Sequence, residues 1–149
     1  MHRRNILWGA VSTFGAAFAA SRASAAANAA PAAKLKVVYH LNDLDKVAFV
    51  LGNIQNHFDG VGGPDHVTIA LVIHGQALRS FHLSAADPDI TRHVGQFTKA
   101  GVELAVCGNT MKFQKVELTD LLPGFVRLDQ GGEVRIAELQ SQGYLYLRP

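Results

Sequence analysis

Val102-Glu103-Leu104-Ala105-Val106-Cys107-Gly108-Asn109-Thr110-Met111 runs from apolar to polar within one residue. Its first five residues predict a short buried β-strand, and Gly-Asn-Thr predicts a turn that opens a helix. A strand feeding directly into a helix is the repeating unit of a parallel α/β sheet. Cys107 is the only cysteine of the chain. An intrachain disulfide is therefore excluded, and the sulfur is free, joined to another molecule, or inert. At a helix start the dipole favours an anion, and the thiolate is the reactive form of cysteine.

The same alternation continues on both sides. Upstream, Leu35–His40 predicts a first strand, followed by a helix capped by Asn42 or Asp43. Leu44, Val47, Ala48, Leu51, Ile54 and Phe58 recur there at helical spacing. Val67–Ile73 is apolar nearly throughout, as a strand buried on both faces must be. His74-Gly75 breaks it, and residues 76–86 read as a loop. Asp87-Pro88 is a cap with proline in the first helical position, ahead of Ile90, Val94 and Phe97. Downstream, residues 125–128 predict a weak fourth strand, 133–142 a helix stopped by Gly143, and 144–147 a last strand. The fold class expected is three-layer α/β/α with a mainly parallel sheet of about five strands. Strand order is not legible from one sequence. Ligands of such sheets bind beyond the carboxyl ends of the strands. The polar residues there are His40, Asn42, His74, Cys107 and Asn109.

The first 30 residues have another character. Arg3-Arg4, a mildly apolar stretch from Trp8 to Ala20, and a run of small residues after Ser21 follow the order of an export signal. The arginine pair favours the twin-arginine route, and a periplasmic location is expected. Residues 31–34 are expected as a disordered lead to a single domain over 35–149. The whole chain carries 14 basic and 12 acidic residues; residues 1–30 hold three of the arginines and no acid, leaving 11 against 12 and a net charge of −1. That balance gives no case for nucleic-acid binding, or for membrane association once the signal is removed.

From about Leu35 to the C-terminus the chain resembles the DsrE/DsrF-like family. The resemblance rests on the opening strand with Asn42, the strand ending in His74-Gly75, Gly101–Cys107, Leu121-Leu122-Pro123-Gly124, and the closing Leu139-Gln140 with Gly143-Tyr144. It implies a three-layer α/β/α fold and homo- or hetero-oligomers. In the sulfur-relay members, a cysteine at this strand end accepts sulfane sulfur as a persulfide and passes it to a partner. Cys107 is the matching position. The residues that follow it, Gly108-Asn109-Thr110-Met111, stand where relay members carry small apolar ones.

Two functions compete at this stage, and a third, weaker reading is metal binding at the same edge, where His40, His74 and Cys107 could form a Cys/His₂ set. In one, the protein handles sulfur in the periplasm, with Cys107 carrying the persulfide and His74 or Asn109 orienting transfer to or from a donor or acceptor protein. In the other, it is a non-enzymatic ligand-binding or assembly module in which Cys107 only packs, as free cysteines usually do. Asn42 and Asn109 read most simply as helix caps. Gly108 bears no side chain to cover the sulfur, which favours solvent access. No cofactor is expected. No metal site is expected either, because no histidine pair stands at ligand spacing on one helix.

Overall fold

The computed structural model describes residues 33–149. The expected signal and the first two residues of the expected lead lie outside them. Five strands form one sheet: β1 (Leu35–Leu41), β2 (Val67–Ile73), β3 (Glu103–Cys107), β4 (Phe125–Leu128) and β5 (Leu145–Leu147). All four strand pairings are parallel, and the order across the sheet is β4-β3-β2-β1-β5. The helices are α1 (Val47–Val61), α2 (Pro88–Lys99), α3 (Gly108–Gln114) and α4 (Gly132–Ser141).

The order of the strands places the layers. From β1 to β4 the chain steps across the sheet in one direction, and right-handed crossovers put every connecting helix on one face. Residues of α1, α2 and α3 accordingly share one core with Val37, Leu71 and Leu104. The step from β4 to β5 runs back across the sheet to its far edge, so the same handedness sends α4 to the opposite face. There Ile136 and Leu139 pack on Val38, Ala70, Val72 and Ala105. The expected three layers are present, with one of them a single helix. Arg135 clamps that helix to the sheet by donating to both carboxylate oxygens of Glu103, at 2.7 and 2.8 Å.

Local signals were kept or overruled for identifiable reasons. Asp87 caps α2 as expected, its Oδ1 accepting from the Ile90 amide at 2.8 Å. Asn42 does not cap a helix. Asp43 stands at the head of a 3-10 turn, Leu44–Lys46, without a side-chain bond, and Asn42 Oδ1 accepts from Arg148 at 3.0 Å. Asn109 is not a cap either, because α3 starts one residue earlier with Cys107 in the capping position. The expected loop after His74 contains a 3-10 helix, Gly75–Phe81, with Ala77, Leu78 and Phe81 buried. Its apolar residues found the core by tertiary packing, which helical periodicity alone does not reveal.

Gly108 is required by close approach. A Cβ there would lie 2.8 Å from the Leu128 carbonyl oxygen and 3.3 Å from Asp129 Cα. Both are backbone atoms, so β4 and the turn after it would have to move. Gly108→Ala is expected to destabilise the fold by about 1–3 kcal/mol, the usual cost of overpacking. Urea unfolding with an unchanged midpoint would show that the turn after β4 yields freely.

Candidate functional site

Because β1, β2 and β3 are neighbours, their carboxyl ends form one edge. Cys107 ends β3. In register it pairs with Leu128, while Ala105 pairs with Val72, so its side chain belongs to the α4 face of the sheet. It is both the residue before α3 and a neighbour of the first residue of α4. A Cβ on Gly132 would stand 3.6 Å from Cys107 Cβ and 3.7 Å from His74 Cδ2. Two helix N-termini, the ends whose dipoles favour anions, thus meet at Cys107. Against this stands burial. The sequence favoured open access, yet Cys107 is 4% exposed. The missing side chain at 108 does not uncover it, and the start of α4 at Gly132 packs close to Cys107.

Cys107 nevertheless borders an open cleft of about 290 Å³, with His74, Asn109, Phe113 and Glu133 on its walls. The cleft is held together by two bonds across its floor. The Gly75 amide donates to Thr110 Oγ1 at 3.0 Å, and Gln114 Nε2 donates to the Gly75 carbonyl at 2.8 Å. Gly75 has φ +61° and would bring a Cβ to 3.2 Å from the Asn42 carbonyl oxygen. Of the five polar residues placed at this edge from the sequence, three share this cleft: Cys107, His74 and Asn109. Asn42 does not line it. Its side chain binds Arg148, and its carbonyl accepts from the Ala77 amide at 3.1 Å.

A chain of polar side chains runs along the same edge. His40, the first of the polar strand-end residues named from the sequence, meets His74 Nε2 to Nε2. His40 Nδ1 lies 2.6 Å from the Tyr146 hydroxyl, and His74 Nδ1 lies 3.6 Å from Glu133 Oε1. Burial first, then the neighbouring His74 and Arg148, hold the His40 imidazole below its usual pKa, against the opposing pull of Glu133 and Asp43. His40 therefore favours its neutral form. Tyr146 and Glu133 carried no signal in the sequence, because only the placement of β5 beside β1 and of α4 over the sheet brings them here. Other histidines have local partners: His57 pairs with Tyr39, and His82 with Gln114.

These features make an α/β domain with a parallel sheet and a single thiol at its carboxyl edge. The DsrE/DsrF-like family matches residues 11–149, and the chain belongs to that family, one associated in general with sulfur relay. Among solved structures, the protein of unknown function MTH1491 from Methanobacterium thermoautotrophicum is similar at 25% identity and a TM-score of 0.66, over 77% of this chain and 99% of that one. BT1422 from Bacteroides thetaiotaomicron, also of unknown function, shares the fold at 17% identity and a TM-score of 0.57, over 82% of this chain and 100% of its own. The ychN protein from E. coli shares it at 13% identity and a TM-score of 0.56, over 77% and 99%. A comparison with curated proteins gives no match. Among the described residues, no helix is long and apolar enough to cross a membrane.

Proposed function

We propose that this protein is exported to the periplasm and there carries sulfane sulfur as a persulfide on Cys107. The observation that carries the reading is the position of the single thiol: a strand end between two helix starts, on the border of a cleft, in a chain of the DsrE/DsrF-like family. The chemistry needs no cofactor. The Cys107 thiolate attacks the outer sulfur of a donor persulfide. A new S–S bond forms on Cys107, the donor S–S bond breaks, and the donor leaves as its thiolate. The proton on the transferred sulfur travels with it, so nothing is oxidised or reduced overall. Asn109 is the polar group of the cleft best able to orient this exchange, since its exposed side-chain amide makes no hydrogen bond among the described residues. His74 shapes the wall, its two nitrogens turned to His40 and Glu133.

The protein works as a homo-oligomer and exchanges sulfur with a donor or acceptor protein. The exposed apolar residues Leu145 and Leu147 on edge strand β5, and Phe113 on the cleft rim, support an associating surface. The burial of Cys107 favours a second reading, in which the same fold is a non-enzymatic ligand-binding or assembly module and the sulfur only packs. Intact-mass analysis of the protein from its own periplasm, with and without reductant, separates the two. The carrier should begin between Ala26 and Lys34 and hold one extra sulfur atom that reductant removes. A single mass unchanged by reductant, together with no thiol labelling before denaturation, would leave the packing reading standing.

A further inference from the structure

We infer that the His40–His74 pair is an exchangeable binding site for a late first-row divalent cation of the zinc type, built on the sheet edge beside the thiol cleft. The two rings lie 34 residues apart in sequence, on β1 and just after β2, and only the parallel pairing of those strands joins them. Their planes differ by 18°, their centroids are 4.7 Å apart, and their Nε2 atoms are mutual nearest partners. Ring edges therefore meet, with both Nε2 atoms directed at one point.

The outer nitrogens explain why that point suits a cation. His74 Nδ1 faces the Glu133 carboxylate across 3.6 Å, too long for a direct hydrogen bond; because a carboxylate only accepts, the contact favours the tautomer with the proton on Nδ1 and the lone pair on Nε2. Tyr146 both donates and accepts, so His40 has two permitted tautomers. In one, Tyr146 donates to Nδ1, and His40 Nε2–H donates to His74. In the other, His40 Nδ1–H donates to Tyr146, and a second lone pair turns to the same point. A cation then takes the place of the shared proton. That proton moves from Nε2 to Nδ1 of His40, and none is released. The far nitrogen of His40 is held by the Tyr146 hydroxyl, the usual arrangement of an imidazole around a bound metal. Imidazole donors suit zinc and copper among the late first-row ions. Zinc–nitrogen bonds of about 2.0–2.1 Å require the rings to swing apart; both side chains are only partly buried. No three His, Cys, Asp or Glu side chains converge as a cage among the described residues. The remaining positions on the metal therefore fall to water, and the ion exchanges.

The site stands independently of the sulfur chemistry, and its test keeps the two apart. Purified protein stripped by chelator is titrated with zinc chloride in a calorimeter. One zinc per chain is expected. His40→Ala and His74→Ala should each abolish saturable binding, and Tyr146→Phe should weaken it by about 10–100-fold, as loss of an outer partner does. Cys107→Ser should bind as the parent does. In the unsubstituted protein, the imidazole nitrogen resonances of His40 and His74 should move together on zinc addition, which requires no variant to fold. Parent-like affinity in either alanine variant, or ring signals that zinc leaves in place, would overturn the inference. Loss of zinc in Cys107→Ser alone would overturn it as well, by making the thiol the ligand.

Discussion

Cys107→Ser protein offered a low-molecular-weight persulfide is expected to gain no sulfur, while the parent should gain one sulfur atom that reductant removes. The expected loss is complete, because the chain has no second thiol to take the load. A serine hydroxyl has neither the nucleophilicity of a thiolate nor a stable S–S analogue. The substitution tests chemistry with little change of shape, but it leaves a hydroxyl at a position only 4% exposed. An unpaired hydroxyl there costs roughly 1–3 kcal/mol. Cys107→Ala, which buries no polar atom, therefore serves as the second variant, and it should also fail to load. Equal loading of either variant and the parent would place the sulfur elsewhere and end the carrier reading. Slow loading of the parent, with full loading once the start of α4 is loosened, would identify Gly132 and its neighbours as the cover over the thiol.

What could be read in advance follows from how local each signal is. β2 was legible to its exact bounds because Val67–Ile73 is buried on both faces and so nearly all apolar. The cap at Asp87 was legible because a side-chain-to-backbone bond spans three residues. Asn42 misled for the complementary reason: asparagine before a helix is a common cap, but Arg148, 106 residues away, claimed its side chain. The carboxyl-edge site was half legible. Strand ends mark the edge, so His74, Cys107 and Asn109 could be named and do share a cleft. Which strands adjoin is a property of the whole chain, so the partners Tyr146 and Glu133 were out of reach. The cover over Cys107 was equally hidden, since Gly132 reaches it only through the long return from β4 to β5.

Phe81→Ala is expected to lower stability by about 3–5 kcal/mol, the cost of emptying a large aromatic site in a core. Phe81 is fully buried, and its ring meets Phe125 edge-on with centroids 5.4 Å apart. Its carbonyl also accepts from the Leu122 amide at 2.9 Å, a bond the substitution leaves in place. The lost energy is therefore packing rather than backbone pairing. Phe81 ends the 3-10 helix that begins at Gly75, and the far end of that helix is the floor of the thiol cleft. The ring thus anchors β4 to the segment that shapes the site. Domains of this size are stable by roughly 5–15 kcal/mol, so the change removes a large share of the total. It should appear as a fall in Tm on the order of 10–20 °C. As the segment loosens, Gly75 loses its fixed place opposite Thr110 and Gln114, and Cys107 should label faster than in the parent at a temperature where both are folded. A Tm within a degree or two of the parent would mean that Phe81 is not a keystone of this core, and that the polar bonds of Gly75 alone hold the cleft.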